Sequence, residues 1–213
     1  TSELGKITKS TPMGSLDAPF NPVSLAIGAE ATFVARTVDS DRKHLTSVLR
    51  AAAEHSGTAL VEIYQNCNIF NDGAFEALKD KEQAAEAVIR LEHGQPILFG
   101  SQEPKGVIRD PATGDLQAVA VTEDNRSQIL VHDAHAPSPT TAFALSRLAD
   151  ADTLHHTPIG VLRSVQRPVY DTLMSDQLDT ALERDGKSDL TGLLGAGDTW
   201  TVTDRHTPQP SGP

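Results

Sequence analysis

The sequence predicts an α/β fold built on part of a parallel sheet, with a hairpin-containing C-terminal appendage. Three observations point there. ATFVART (31–37) and TALVEIY (58–64) are β-branched, apolar runs of strand length. Between them lies one amphipathic helical stretch, and strand, helix and strand on short links make a βαβ unit with parallel strands. VIRD–PATG–DLQAVAV (107–121) then reads as two strands around a turn that carries Pro and Gly.

The elements follow in order. Residues 1–23 hold two Gly, three Pro and six Ser or Thr, which is loop composition. Gly5 and Gly14 serve turns there. After the first strand, Asp39 and Ser40 are the expected N-cap residues of a helix over about 41–55. Leu45, Val48, Leu49, Ala52 and Ala53 give that helix one apolar stripe. Gly57 sits where a glycine would end it. Beyond the second strand, FNDGAFEALKD (70–80) leads into KEQAAEAVIRL (81–91), helical by propensity. PILFG (96–100) and QILVHD (128–133) read as short strands. Ser138 and Pro139 introduce a helix to about 149, and a second helix spans roughly 169–184 with Leu173, Met174, Leu178, Ala181 and Leu182 on one face. The tail 204–213 has the composition of disorder.

Composition narrows the function. The formal net charge is −11, with acidic residues spread along the chain, so nucleic-acid phosphates are not an expected partner. No apolar run reaches the roughly 18 residues of a membrane span, so no membrane is expected. A single cysteine excludes an intramolecular disulfide and fits a reducing cytoplasm.

That cysteine, Cys67, is the chief candidate for chemistry. Ligands of open parallel sheets sit beyond the carboxyl ends of the strands, and Gln65, Asn66 and Cys67 follow the second strand directly. A lone cysteine is most often a small buried hydrophobe. Its place in a polar turn between two amides leaves three roles open: metal ligand, nucleophile and plain thiol. Other features have bland readings beside sharper ones. His132, Asp133 and His135 form an H-D-A-H cluster, readable as a metal site or as a hydrogen-bonded cluster at a strand end. His155 and His156 are a loop pair. Lys6 and Lys9 could meet anionic groups, or be solvated loop lysines.

EIYQNCNIFNDGAFE (62–76) resembles the hallmark stretch of the β subunits of 2-oxoacid:ferredoxin oxidoreductases. TKSTPMGSLDAPFNPVSLAIGAEATFVAR (8–36) and HDAHAPSPTTAFALSRL (132–148) resemble segments of the same proteins, in the same order. The resemblance covers about residues 1–184 and leans toward the 2-oxoglutarate type. It implies a thiamine diphosphate site with magnesium, a [4Fe–4S] cluster, an α subunit, ferredoxin, a 2-oxoacid and coenzyme A. It also implies that Cys67 is the last of four cluster cysteines. Asn66 and Asn68 are candidate hydrogen-bonding neighbours of its sulfur by adjacency in the sequence alone. The family's C-x-x-C, its third cysteine and its G-D-G…N element for magnesium and diphosphate are not in these 213 residues. The expectation is therefore a C-terminal part of the subunit. Residues 1–66 would belong to the diphosphate-binding domain, 67–203 to a C-terminal extension, and 204–213 to a tail. The rival reading is a non-catalytic α/β scaffold or binding module with Cys67 as a structural thiol. A third is a small hydrolase with a metal at His132 and His135.

Overall fold

The computed structural model describes residues 3–69, 71–150, 153–200 and 202. The chain divides into two compact units, 1–168 and 169–213. The first holds α1 (Pro22–Gly28), β1 (Phe33–Val38), α2 (Arg42–Glu54), β2 (Ala59–Tyr64), α3 (Lys81–Ala87), β3 (Val88–Leu91), β4 (Leu98–Phe99), β5 (Lys105–Arg109), β6 (Leu116–Ala120), α4 (Thr140–Ser146) and β7 (Thr157–Ser164). The second holds α5 (Tyr170–Asp185) and α6 (Leu190–Gly195).

β1 is the axis of the first unit. All six of its residues are buried. It pairs parallel with β2, from Phe33 opposite Ala59 to Val38 opposite Tyr64. This is the βαβ unit the sequence predicts. On its other edge β1 pairs antiparallel with β7, and β7 pairs parallel with β3, so the sheet runs β2-β1-β7-β3 and is mixed. Side chains alternate across β1. Phe33 and Ala35 meet Val48 of α2 on one face. Val34 meets Val23 and Ile27 of α1 on the other, in the largest apolar cluster. Each such Val, Ile or Phe side chain contributes about 1.5–3 kcal/mol when fully buried. β4, β5 and β6 form a separate antiparallel sheet around the expected hairpin.

Several local expectations are corrected. β7 lies in HTPIGVLRS, where Pro158 and Gly160 mask strand character; Pro lacks the ladder donor and Gly lacks packing. The stretch 81–91 is helical only to Ala87, where the β-branched Val88 and Ile89 pass into β3. The cap of α2 is Asp41, which accepts from the His44 amide at 3.0 Å, and not Asp39 or Ser40. α2 is capped at its C-terminus by His55, so Gly57 serves the turn into β2. α1 begins at the end of the stretch read as loop and runs on to Gly28: Asn21 accepts from the Ser24 amide at 2.9 Å and Pro22 opens the helix. In the 128–133 segment Gln128 closes a 3-10 turn, and the rest is extended, bridging Ile129 to Ile108 and Val131 to Pro96 through bonds such as Leu130 N to Val107 O at 2.9 Å without forming a full strand. α4 stops at Ser146, short of 149. α5 matches its expected span to one residue at each end, and α6 was not foreseen. The tail 204–213 lies outside the described residues.

Gly160 shows why β7 fits where it does. It stands between Arg36 of β1 and Leu91 of β3 with a φ of +118°. A Cβ there would lie 2.7 Å from the Leu91 carbonyl oxygen. Gly160→Ala is expected to cost about 3 kcal/mol through clash and backbone strain. Urea unfolding measures it, and a loss under about 0.5 kcal/mol would contradict the packing described.

Candidate functional site

Because β1 and β2 are parallel, their carboxyl ends lie side by side. The Asp39 amide donates to the Tyr64 carbonyl at 3.0 Å, which extends the ladder one step past the strands. The chain beyond Tyr64 then turns through Gln65, Asn66 and Cys67. Asp39 is spent on this turn rather than on α2. Its carboxylate accepts from the Asn66 amide at 3.4 Å and pairs with Lys79 at 3.3 Å.

Asn66 clamps the loop on itself. Its Nδ2 donates to Asp72 Oδ1 at 2.8 Å, and its Oδ1 accepts from the Gly73 amide at 3.0 Å. Gly73 has a φ of +77°, the left-handed conformation that closes the turn. Cys67 bridges Asn71: the Asn71 amide donates to the Cys67 carbonyl at 2.8 Å. Lys6 reaches in from the opening loop and donates through Nζ to Asn71 Oδ1. The opening loop is itself folded, with the Gly5 amide bonded to Ser15 O at 2.7 Å and Ser15 N to Lys6 O at 3.0 Å. Cys67, half-buried, thus sits between hydrogen-bonded residues at the tip of a parallel pair.

Behind the loop lies a charged layer inside the sheet. Arg36 is 1% exposed and donates through Nε to Glu62 Oε2 at 2.6 Å, its register neighbour on β2. Its guanidinium lies 5.3 Å from the Tyr64 ring centre, and Tyr64 stacks on Phe75 at 4.6 Å. Burial pushes the Tyr64 phenol up from its ordinary value. Glu62, Tyr64, Gln65, Asn71 and Phe75 line a cleft of 390 Å³ on this face.

No family model matches the chain. The sequence is 55% identical, over 205 residues, to the 2-oxoglutarate oxidoreductase subunit KorB of Mycobacterium tuberculosis; the match covers 95% of this chain and 54% of that one. The chain is a homologue of the β subunits of 2-oxoacid:ferredoxin oxidoreductases. A 2-oxoacid:ferredoxin oxidoreductase subunit beta of Saccharolobus solfataricus is 30% identical over 133 residues, covering 59% of this chain and 42% of that one. The fold matches a chain of the 2-oxoglutarate:ferredoxin oxidoreductase from Magnetococcus marinus, solved with 2-oxoglutarate, coenzyme A and succinyl-CoA bound. The TM-score is 0.58 at 20% identity, over 93% of this chain and 52% of that one. The chain thus spans about half the length of the relatives it matches. Among the described residues no helix is long and apolar enough to cross a membrane.

The structure separates the other residues singled out in this homologue. His132 is buried, and its Nε2 lies 2.8 Å from the Val161 carbonyl oxygen, to which it donates. His135 donates through Nδ1 to Ser164 O at 2.6 Å. The two histidines are therefore each tied to β7. The near neighbour of His135 is His93, with ring centres 4.3 Å apart. Among the described residues no group of three or more His, Cys, Asp or Glu could hold a metal ion. His156 packs its ring edge on Phe99 at 5.5 Å. Lys9 is exposed, whereas Lys6 belongs to the Cys67 loop. Sequence reasoning gave Asp39 the role of a helix cap and did not single out Arg36 or Lys79 in this region. Asp39 carried a signal, since a carboxylate just past a strand end suits a loop anchor as well as a cap.

His132 carries a pH effect. Burial holds its imidazole below the ordinary value of 6.5, helped by the charges of His93 and His135 and opposed by the Val161 bond and Asp133. Between the lowered value and 6.5 the unfolded chain takes the proton and the folded chain does not. Stability therefore rises with pH through that window and falls on acidification. His132→Gln should show a shallower fall in Tm than the parent between roughly pH 7.5 and 5.5. Parallel slopes in thermal unfolding would place the acid sensitivity elsewhere.

Proposed function

We propose that this chain is part of the β subunit of a cytoplasmic 2-oxoacid:ferredoxin oxidoreductase. The whole enzyme, with an α subunit, would convert a 2-oxoacid and coenzyme A to an acyl-CoA and CO₂, and reduce ferredoxin. The 55% identity to a 2-oxoglutarate oxidoreductase subunit supports 2-oxoglutarate as the 2-oxoacid. In this reading Cys67 is one thiolate ligand of a [4Fe–4S] cluster, and residues 1–66 belong to the domain that binds thiamine diphosphate and magnesium. The remainder, 67–203, is the C-terminal extension, which returns β7 to the sheet beside β1.

One observation carries the proposal: a half-buried thiol sits in a clamped loop at the carboxyl end of a parallel pair, the place where ligands of such sheets gather. The chain's residues do not complete either cofactor site. One thiol is a single corner of a four-iron cluster, which takes four such ligands. Asp39, the carboxylate just past β1, is engaged by Lys79 and the Asn66 amide, and among the described residues no group of His, Cys, Asp or Glu is gathered for a metal ion. The proposal therefore requires three more thiolates and the magnesium ligands from outside the 213 residues. What this chain supplies is position: Asn66, Asp39 and Lys6 fix the Cys67 loop. The amides around the sulfur would tune its donor strength.

The test is Cys67→Ser in the complete, assembled enzyme. Ferredoxin reduction is expected to be lost, and the electron paramagnetic resonance signal of the reduced cluster to be altered or absent. A scaffold role for the thiol predicts an unchanged signal with full activity, and that result would overturn the assignment.

A further inference from the structure

A second cleft, of 620 Å³, opens where α2 begins and α3 meets β3. Its rim holds Arg42, Lys79, Lys81 and Arg90, four of the 18 Lys and Arg in a chain whose formal net charge is −11. The carboxylate on the rim is Asp41, which accepts from the His44 amide at 3.0 Å and pairs with Arg90 at 2.8 Å. Lys79 pairs with Asp39 outside the rim at 3.3 Å. Among the described residues neither the Arg42 nor the Lys81 side chain has an ion pair or hydrogen bond. The amino end of α2, a helix of 13 residues that starts at Arg42, adds its dipole to the same rim. The walls are apolar: Leu78, Val88, Leu98 and Phe99.

Four cations on the rim of one cleft, two of them without an ion pair or hydrogen bond among the described residues, suit an anionic ligand. A flat acidic surface would not use a concave cleft, and a volume of 620 Å³ falls within the roughly 300–1,000 Å³ of small-molecule sites. A bare phosphate would leave the apolar walls uncovered. We propose that this cleft binds a purine nucleotide, with its phosphates on Arg42, Lys81 and Arg90 and its base against Leu98 and Phe99. The nucleotide could be free or could be the nucleotide end of coenzyme A; the second source rests on the oxidoreductase reading above.

The test is calorimetric titration of the purified, assembled protein with ADP, adenosine 3′,5′-bisphosphate, coenzyme A and inorganic pyrophosphate. The nucleotides should saturate one site, and pyrophosphate should bind at least about tenfold more weakly. Equal affinity for ADP and coenzyme A indicates a free nucleotide as ligand; tighter binding of coenzyme A and the bisphosphate indicates the coenzyme. Arg42→Glu/Lys81→Glu should weaken the nucleotides at least about tenfold without changing Tm, since neither side chain has a partner to lose. Arg42→Ala/Lys81→Ala serves the same end if charge reversal harms folding. No saturable nucleotide binding, pyrophosphate binding as tight as the nucleotides, or affinity unchanged in both variants would overturn the proposal. Ferredoxin reduction is a separate readout, so the oxidoreductase reading and this one can fail independently.

Discussion

β1 must satisfy two neighbours at once, and the rest of the first unit depends on that constraint. A strand with all six residues buried has no free edge to water. Its backbone donors and acceptors must all be met by other strands, because an unmet buried group costs about 1–3 kcal/mol. β2 meets one edge through the local βαβ connection. β7 meets the other from more than a hundred residues away in sequence. The chain after Cys67 is thus tied into the sheet that carries Cys67.

This arrangement explains the charged layer. Arg36 sits mid-strand, where an apolar residue would be expected, and is held by Glu62 on the neighbouring strand. Arg163 of β7 does similar work at the far end. It is 1% exposed, and its guanidinium donates to the Ala136 and Pro137 carbonyls at 3.2–3.3 Å and to Ala31 O at 3.3 Å. Removing either partner of a buried pair leaves an uncompensated charge, so a strand arrangement that parts Arg36 from Glu62 is penalised. A rigid frame at the strand tips is what a ligand loop needs. The Cys67 loop gains its shape from Asn66, Asp39 and Lys6, and its place from the parallel pair.

The parts legible in the sequence are those with local causes. The β1–α2–β2 unit follows from β-branched runs and a helical stripe, and the β5–β6 hairpin from its turn. Cys67 was found because a parallel pair makes its carboxyl end special before any contact is known. The parts not legible depend on distant pairing. TPIGVLRS has a proline and a glycine, yet Gly160 is demanded by the close approach of Leu91, and Pro158 sits in a ladder whose value comes from β1 and β3. Val88 to Leu91 read as the end of a helix because β7 was not there to claim them. The roles of Asp39, Lys79 and Arg36 were hidden for the same reason, since each partner lies 25 or more residues away. The cationic cleft joins α2, α3 and β3, which no local pattern brings together.

The central claim is that the clamped loop past β2 presents a thiolate to iron. An iron anomalous-difference map from crystals of the complete enzyme, isolated without oxygen, tests it most directly. The account predicts iron density within bonding distance of Cys67 Sγ, with the Asn66–Gly73 clamp intact. Iron clusters found elsewhere, with Cys67 Sγ far from any metal, would contradict it.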